Sequence, residues 1–262
     1  MANLLTNRDD KSVGSGAVTK SMFGLWADPV LTLALLALWI ALAIVFNGEP
    51  EIDRVVSALF FEAHPCAQGS TQLACGEFPA VANAFLGTVR AVLHYLPATA
   101  AIVVIAGLAN ELAAGRGLAH PRSRFAVTAL AAFALGPGLL VNVILKDHWG
   151  RPRPVLTDLF GGPLPFVPAV EWSNSCKSNC SFVSGEAASI FWLLCLVPLL
   201  PANQRRVGAI VIAVVAVFTA MLRVAFGGHY LSDVVLGGLS TLVMFAALAF
   251  LVDRVTRLAG QF

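Results

Sequence analysis

The sequence predicts an all-α polytopic membrane protein: a bundle of six transmembrane helices with a long extracytoplasmic loop between helices 3 and 4. Three observations carry the prediction. The chain of 262 residues is 58% hydrophobic and only 12% charged, with a mean hydropathy of +0.79. That is more apolar surface than a soluble domain of this size can hide. A helix needs roughly 20 apolar residues to cross a bilayer, and six stretches qualify, near 29–47, 92–112, 125–145, 187–201, 207–225 and 232–252. No segment alternates with period two over the length that a membrane barrel strand requires.

Taken in order, residues 1–27 are polar and rich in Ser, Gly, Asn and charge, and read as a flexible cytoplasmic tail. They do not read as a secretory signal, because the apolar run that follows exceeds a signal h-region. Residues 28–255 form the membrane domain and 256–262 a second cytoplasmic tail. The fourth apolar run is short and ends at Pro198 and Pro201, so its start is the least defined. Orientation follows from the basic residues in the short flanks. Of the 17 Lys and Arg, ten fall on the side of the two tails: Arg8, Lys11, Lys20, Arg116, Arg122, Arg124, Arg205, Arg206, Arg254 and Arg257. Four of the other seven, Lys146, Arg151, Arg153 and Arg223, belong to a candidate site, leaving Arg54, Arg90 and Lys177. This imbalance predicts cytoplasmic termini in a cell inner (plasma) membrane, with the site facing the periplasm or the extracellular side. Basic residues in twos and threes form no nucleic-acid patch. The sequence leaves the oligomeric state open.

Cysteines give an independent indication. Cys66, Cys75, Cys176 and Cys180 all fall in the two loops assigned outside, where disulfides persist. Three pairings are possible; Cys66–Cys75 with Cys176–Cys180 is favoured. A metal site is the rival, but the paired Cys-x-x-Cys spacing is missing. Cys195, within a span, reads as a small buried hydrophobe.

The candidate site draws on three separated segments: Lys146 to Pro154, Val183 to Glu186, and Arg223 to Asp233. His229 and Asp233 are four residues apart at the start of the last span and share a helix face. A carboxylate that holds Nδ1–H leaves Nε2 as a lone pair, suited to attack on phosphorus through a phosphohistidine. The alternative is a structural His–Asp pair. Lys146, Arg151, Arg153 and Arg223 supply fixed cations for the equatorial oxygens of a phosphoryl group. Membrane-edge snorkelling would explain one or two of them, but not a cluster on the side that should be poor in cations. Ser184 and the Gly185 amide open the fourth span, where a helix N-terminus can cradle an anion; Ser184 is otherwise a plain N-cap.

Together these segments resemble the type 2 phosphatidic acid phosphatase superfamily, in its bacterial membrane lipid phosphatase branch. Its signature is Lys-x6-Arg-Pro, then Pro-Ser-Gly-His, then Ser-Arg-x5-His-x3-Asp. Lys146, Arg153 and Pro154 match the first element, and Arg223, His229 and Asp233 match the third. The resemblance implies a six-span lipid phosphatase with His229 as nucleophile and Asp233 as its orienting partner. Lys146, Arg153, Arg223, Ser184 and Gly185 would bind phosphate, with no metal and no cofactor. Three positions depart from the pattern. Leu222 replaces the serine of the third element, and Val183-Ser184-Gly185-Glu186 replaces Pro-Ser-Gly-His, so its proline and histidine are both missing. The missing histidine is the family's proton donor to the leaving alcohol. Glu186 as a neutral acid and His148 are the candidates to replace it; weak or absent catalysis is the third outcome.

The partners implied are membrane lipids and a lipid phosphate substrate: phosphatidic acid, phosphatidylglycerol phosphate, undecaprenyl diphosphate or the phosphates of lipid A. The long loop favours a glycolipid or polyprenyl headgroup. Within it, Phe160 to Phe166 and Trp172 read as interfacial anchors or as a lid. The competing class is a transporter or lipid-binding protein without chemistry, whose charges would sit at mid-membrane on several spans. Here they collect at span ends on one face.

Overall fold

Capping side chains set where several of the helices begin in the computed structural model, which describes residues 21–69 and 72–259. Helix α1 (Pro29–Gly48) starts on a proline, with the Asp28 carboxylate accepting from the Val30 amide at 2.8 Å. A short amphipathic helix, α2 (Glu51–Ala58), and a two-stranded hairpin (Glu62–Ala63 with Gly76–Glu77) follow. Asn83 then caps α3 (Ala84–Ala113). Helix α4 (Pro121–Phe133) continues as a π-helix over Ala134–Leu145 and ends in the single turn α5 (Lys146–His148). Pro137 sits inside the widened stretch. A proline has no amide hydrogen and crowds the carbonyl four residues back, and a wider turn relieves both problems. Helices α6 (Gly185–Cys195), α7 (Arg205–Ala225) and α8 (Leu231–Ala259) complete the bundle.

The protein is thus an all-α polytopic membrane protein. Among the described residues five helices are long and apolar enough to cross a membrane, and Gly185–Leu199 is a shorter apolar helix in the place of the expected fourth span. Their outer faces remain apolar and unpacked: Ile102 and Val103 are each 66% exposed, as lipid-facing positions would be. Helix α3 begins two turns earlier than the expected 92–112, and α8 runs on to Ala259. Residues 1–20 and 260–262 of the expected tails lie outside the described residues. The end of the first tail differs from expectation. Phe23 is buried against Phe125, and Trp26 packs edge-on against Phe245.

Helix α8 is central, packing against α1, α4, α6 and α7. Trp39 of α1 donates its indole N–H to Ser240 and to the Leu236 carbonyl of α8. Glycine permits the closest approach. A Cβ on Gly237 would lie 2.7 Å from the Ser184 carbonyl oxygen, so only a bare backbone lets the start of α6 rest on α8. The Ser184 amide also donates to the Asp233 carbonyl at 3.0 Å. Gly237→Ala is therefore expected to force the two helices apart and destabilise the protein by about 1–3 kcal/mol. Thermal denaturation in detergent reads this as a lowered midpoint. Gly107→Ala, where a Cβ meets nothing within 4 Å, should leave the midpoint in place.

Candidate active site

The α7–α8 turn delivers His229. Gly227 takes a left-handed conformation (φ +60°), and the chain reverses to place His229, 1% exposed, just before α8. Its Nδ1 lies 2.8 Å from the Ser181 carbonyl oxygen. A carbonyl can only accept, so Nδ1 carries the hydrogen and Nε2 is the lone pair. Burial depresses the His229 pKa to about 4, with the Arg223 and Arg153 charges pulling the same way and Asp233 opposing them. At neutral pH the ring is therefore uncharged.

Asp233 has a different job from the one expected. Its carboxylate is 3.8 Å from Nδ1, beyond hydrogen-bond reach. It accepts instead from Ser181 Oγ at 2.5 Å, from the Tyr230 amide at 2.9 Å and from Arg151 Nη1 at 2.6 Å. The Tyr230 contact is the reach-back half of a capping box at the start of α8. Asp233 thus acts on His229 through Ser181, whose carbonyl holds the ring and whose hydroxyl it fixes. The Cys176–Cys180 disulfide closes the turn just before Ser181, and Cys66–Cys75 ties the hairpin. Both are the favoured pairings. Backbone bonds from Cys180 to the Lys146 carbonyl and from Ser181 to the Arg151 carbonyl lock this turn onto the first basic segment.

Arg151 is corrected from a phosphate ligand to a structural ion. It is fully buried. Nη2 donates to Asp53 at 2.8 Å, Nη1 to Ser232 and Asp233, and Nε to the Val167 carbonyl. Its guanidinium also lies over the Tyr230 ring, 4.3 Å from the centroid. Burial alone would lower its pKa; the Asp233 and Asp53 carboxylates more than offset this and raise it. Asp53, itself 1% exposed, reaches in from α2 and also accepts from the Ser232 amide and hydroxyl.

The remaining cations gather around Glu186. Arg223 is buried, its Nε 3.4 Å from a Glu186 oxygen and without a hydrogen-bond acceptor among the described residues. Its guanidinium lies beneath Gly228, where a Cβ would fall 2.7 Å from Nη2. Arg153 is oriented by the Asn179 carbonyl and side chain. Lys146, Gly185 and Glu186 line a cavity of about 130 Å³ together with Asn142 and His94. Ser184 is fully buried and caps α6, its Oγ accepting from the Ala187 amide, so the N-cap reading accounts for its position. Gly185 stands at the helix N-terminus, where an added Cβ would lie 2.3 Å from the Asn142 oxygen.

The two proposed acids fare differently. Glu186 does face the cavity, but Arg90 grips it with Nη2 at 2.5 Å and Nε at 3.3 Å. The neutral-acid role expected of it does not fit these partners. His148 is exposed, its Nδ1 2.9 Å from the Ile144 carbonyl. Arg90 and His94, one turn apart on α3, are contributors that sequence reasoning missed. The available signal was their i, i+4 spacing at the start of an apolar run. Phe160 and Phe166 are likewise no interfacial anchors: Phe160 is buried against Phe61 and Phe78, and Phe166 packs on Tyr230. Trp172 is 59% exposed. Among the described residues no group of three or more His, Cys, Asp or Glu is placed to hold a metal ion.

A helical membrane bundle whose motif cations and histidine converge at one end defines a class of membrane protein built to hold a phosphoryl group. The chain belongs to the PAP2 superfamily, whose family model matches residues 125–257. It is 44% identical over 223 residues to a lipid A 4'-phosphatase of Rhizobium leguminosarum, covering 84% of this chain and 96% of the relative. A lipid A 4'-phosphatase of Rhizobium etli is 43% identical over 239 residues, covering 87% and 93%. One of Francisella tularensis subsp. novicida is 38% identical over 169 residues, covering 63% and 76%. The crystal structure of a transmembrane PAP2-type phosphatidylglycerolphosphate phosphatase from Bacillus subtilis shares the fold. Its TM-score is 0.51 at 22% identity, over 86% of this chain and 96% of that one.

The buried ion network makes a direct prediction. Asp53→Ala leaves the Arg151 charge short of one partner and should cost about 3–5 kcal/mol. The loss is measurable as faster thermal inactivation in detergent, whereas Arg54→Ala, at an exposed pair, should cost under about 1 kcal/mol.

Proposed function

We propose that this protein removes a phosphate from a lipid phosphomonoester on the extracytoplasmic side of the membrane, and that the substrate is lipid A bearing a 4'-phosphate. The observation that carries the chemistry is the hydrogen bond from His229 Nδ1 to the Ser181 carbonyl, which leaves Nε2 free to attack. The lone pair forms an N–P bond as the P–O bond to the lipid breaks, and water then cleaves the phosphohistidine to release inorganic phosphate. Arg223, Arg153, Lys146 and the Gly185 amide meet the charge on the phosphoryl oxygens. No metal enters this scheme. The choice of substrate rests on the three relatives, each a lipid A 4'-phosphatase.

The orientation rests on charge and cysteines. With Arg90 drawn into the site cluster, Arg54 and Lys177 are the basic residues left on the site's side, against ten on the other. Both disulfides fall in loops on the site's side.

Phosphate release by the purified protein in detergent, with chelator present, tests the reading. Lipid A, phosphatidylglycerol phosphate, phosphatidic acid and undecaprenyl diphosphate form the panel, beside His229→Ala. The expected outcome is release from lipid A by the wild type, faster than from the other three, and none by the variant. Release from none of the four would favour a lipid-phosphate-binding or transport protein. A different best substrate would retain the phosphatase and replace lipid A.

A further inference from the structure

Cleavage of a phosphomonoester leaves an alkoxide, a poor leaving group unless a proton arrives as the P–O bond breaks. A positioned acid contributes roughly 10²–10⁴ in rate. The donor must stand among the groups that meet the phosphoryl oxygens. Glu186 is committed to Arg90 and Arg223, and the exposed His148 has Nδ1 on a backbone carbonyl. A third group meets the requirement. His94 projects from α3 one helical turn beyond Arg90, and the i, i+4 spacing sends both side chains to the same place. Arg90 grips the Glu186 carboxylate, and His94 Nδ1 lies 3.7 Å from Oε1 of the same carboxylate. His94 lines a small cavity with Asn142 and with two of the proposed phosphate ligands, Lys146 and Gly185. It is half exposed and rests edge-on against Tyr95. Arg223 contacts Glu186 and lies under Gly228, next to His229, so one guanidinium touches both the carboxylate beside His94 and the turn that carries His229.

Resting on the phosphatase reading above, we propose that His94 is the catalytic acid of this enzyme and that Glu186 is the positioning residue that aims it. The Glu186 carboxylate, 3.7 Å from Nδ1, attracts the imidazolium at ion-pair distance, and Nε2–H serves the leaving oxygen. As His229 Nε2 forms its bond to phosphorus, the P–O electron pair goes to the leaving oxygen, which takes the Nε2 proton of the His94 imidazolium. The neutral imidazole then accepts a proton from water as the water oxygen attacks the phosphohistidine. The N–P electron pair returns to His229, and inorganic phosphate departs with His94 reprotonated. Arg90 supplies the second hold on Glu186, so one carboxylate from α6 joins two residues of α3 to the site.

Chemical rescue tests this with the full-length protein in detergent, on the panel lipid that the wild type hydrolyses best. His94→Ala should lower kcat by roughly a hundredfold or more with KM little changed. Added imidazole should restore turnover in a concentration-dependent manner, because the half-exposed position admits a small ring. His148→Ala should behave as the wild type, with or without imidazole. Full activity in His94→Ala, or a loss that imidazole does not restore, overturns the assignment. A wild type that releases no phosphate from any lipid overturns the phosphatase reading itself, and with it this proposal.

Discussion

The Asp233 carboxylate is the junction on which the active end depends. It accepts from Arg151, from the Ser181 hydroxyl and from the Tyr230 amide. Arg151 extends the junction to Asp53 on α2, and Asp53 returns to Ser232 on α8. Four parts of the chain that are distant in sequence therefore meet around one buried charge pair. Such a cluster is costly to dehydrate, and its members tolerate burial because every charge has a partner. His229 is held at second hand. Ser181 gives its hydroxyl to Asp233 and its carbonyl to His229. Moving any member of the network would move the imidazole.

A second group of charges has the opposite character. Arg90 and Arg223 pair directly with Glu186, Arg153 is near enough to feel its charge, and Lys146 lines a small cavity with it. Among the described residues the Arg151 network is closed upon itself, whereas Arg90, Arg153 and Arg223 outnumber the Glu186 carboxylate. An excess of that kind suits a divalent phosphoryl group. The helices that carry it leave apolar faces toward lipid, so a headgroup can enter the charged end while its acyl chains stay in the bilayer.

Much of this was legible in the sequence because membrane helices obey simple rules. Length and hydropathy located the apolar runs, and the loop cysteines paired as their positions suggested. The order and spacing of Lys146, Arg153, Arg223, His229 and Asp233 identified the family. Three things were hidden for physical reasons. Arg151 resembles its neighbour Arg153, and its burial depends on Asp53, 98 residues away. The His229 tautomer is set by a backbone carbonyl, which no side-chain pattern encodes. Arg90 fell outside the expected 92–112 span because α3 starts at Ala84. His94 fell inside that span and read as one polar residue in an apolar run. Their role emerges only when α3 and α6 are placed side by side.

The central claim is that His229, fixed by Ser181, attacks phosphorus through Nε2. The direct measurement is to quench turnover of a phosphate-labelled lipid in alkali, where phosphohistidine survives, and to locate the label by mass spectrometry. The account predicts phosphate on His229, attached at Nε2, appearing before free phosphate accumulates. Turnover with no label on His229, or label on another residue, would contradict it.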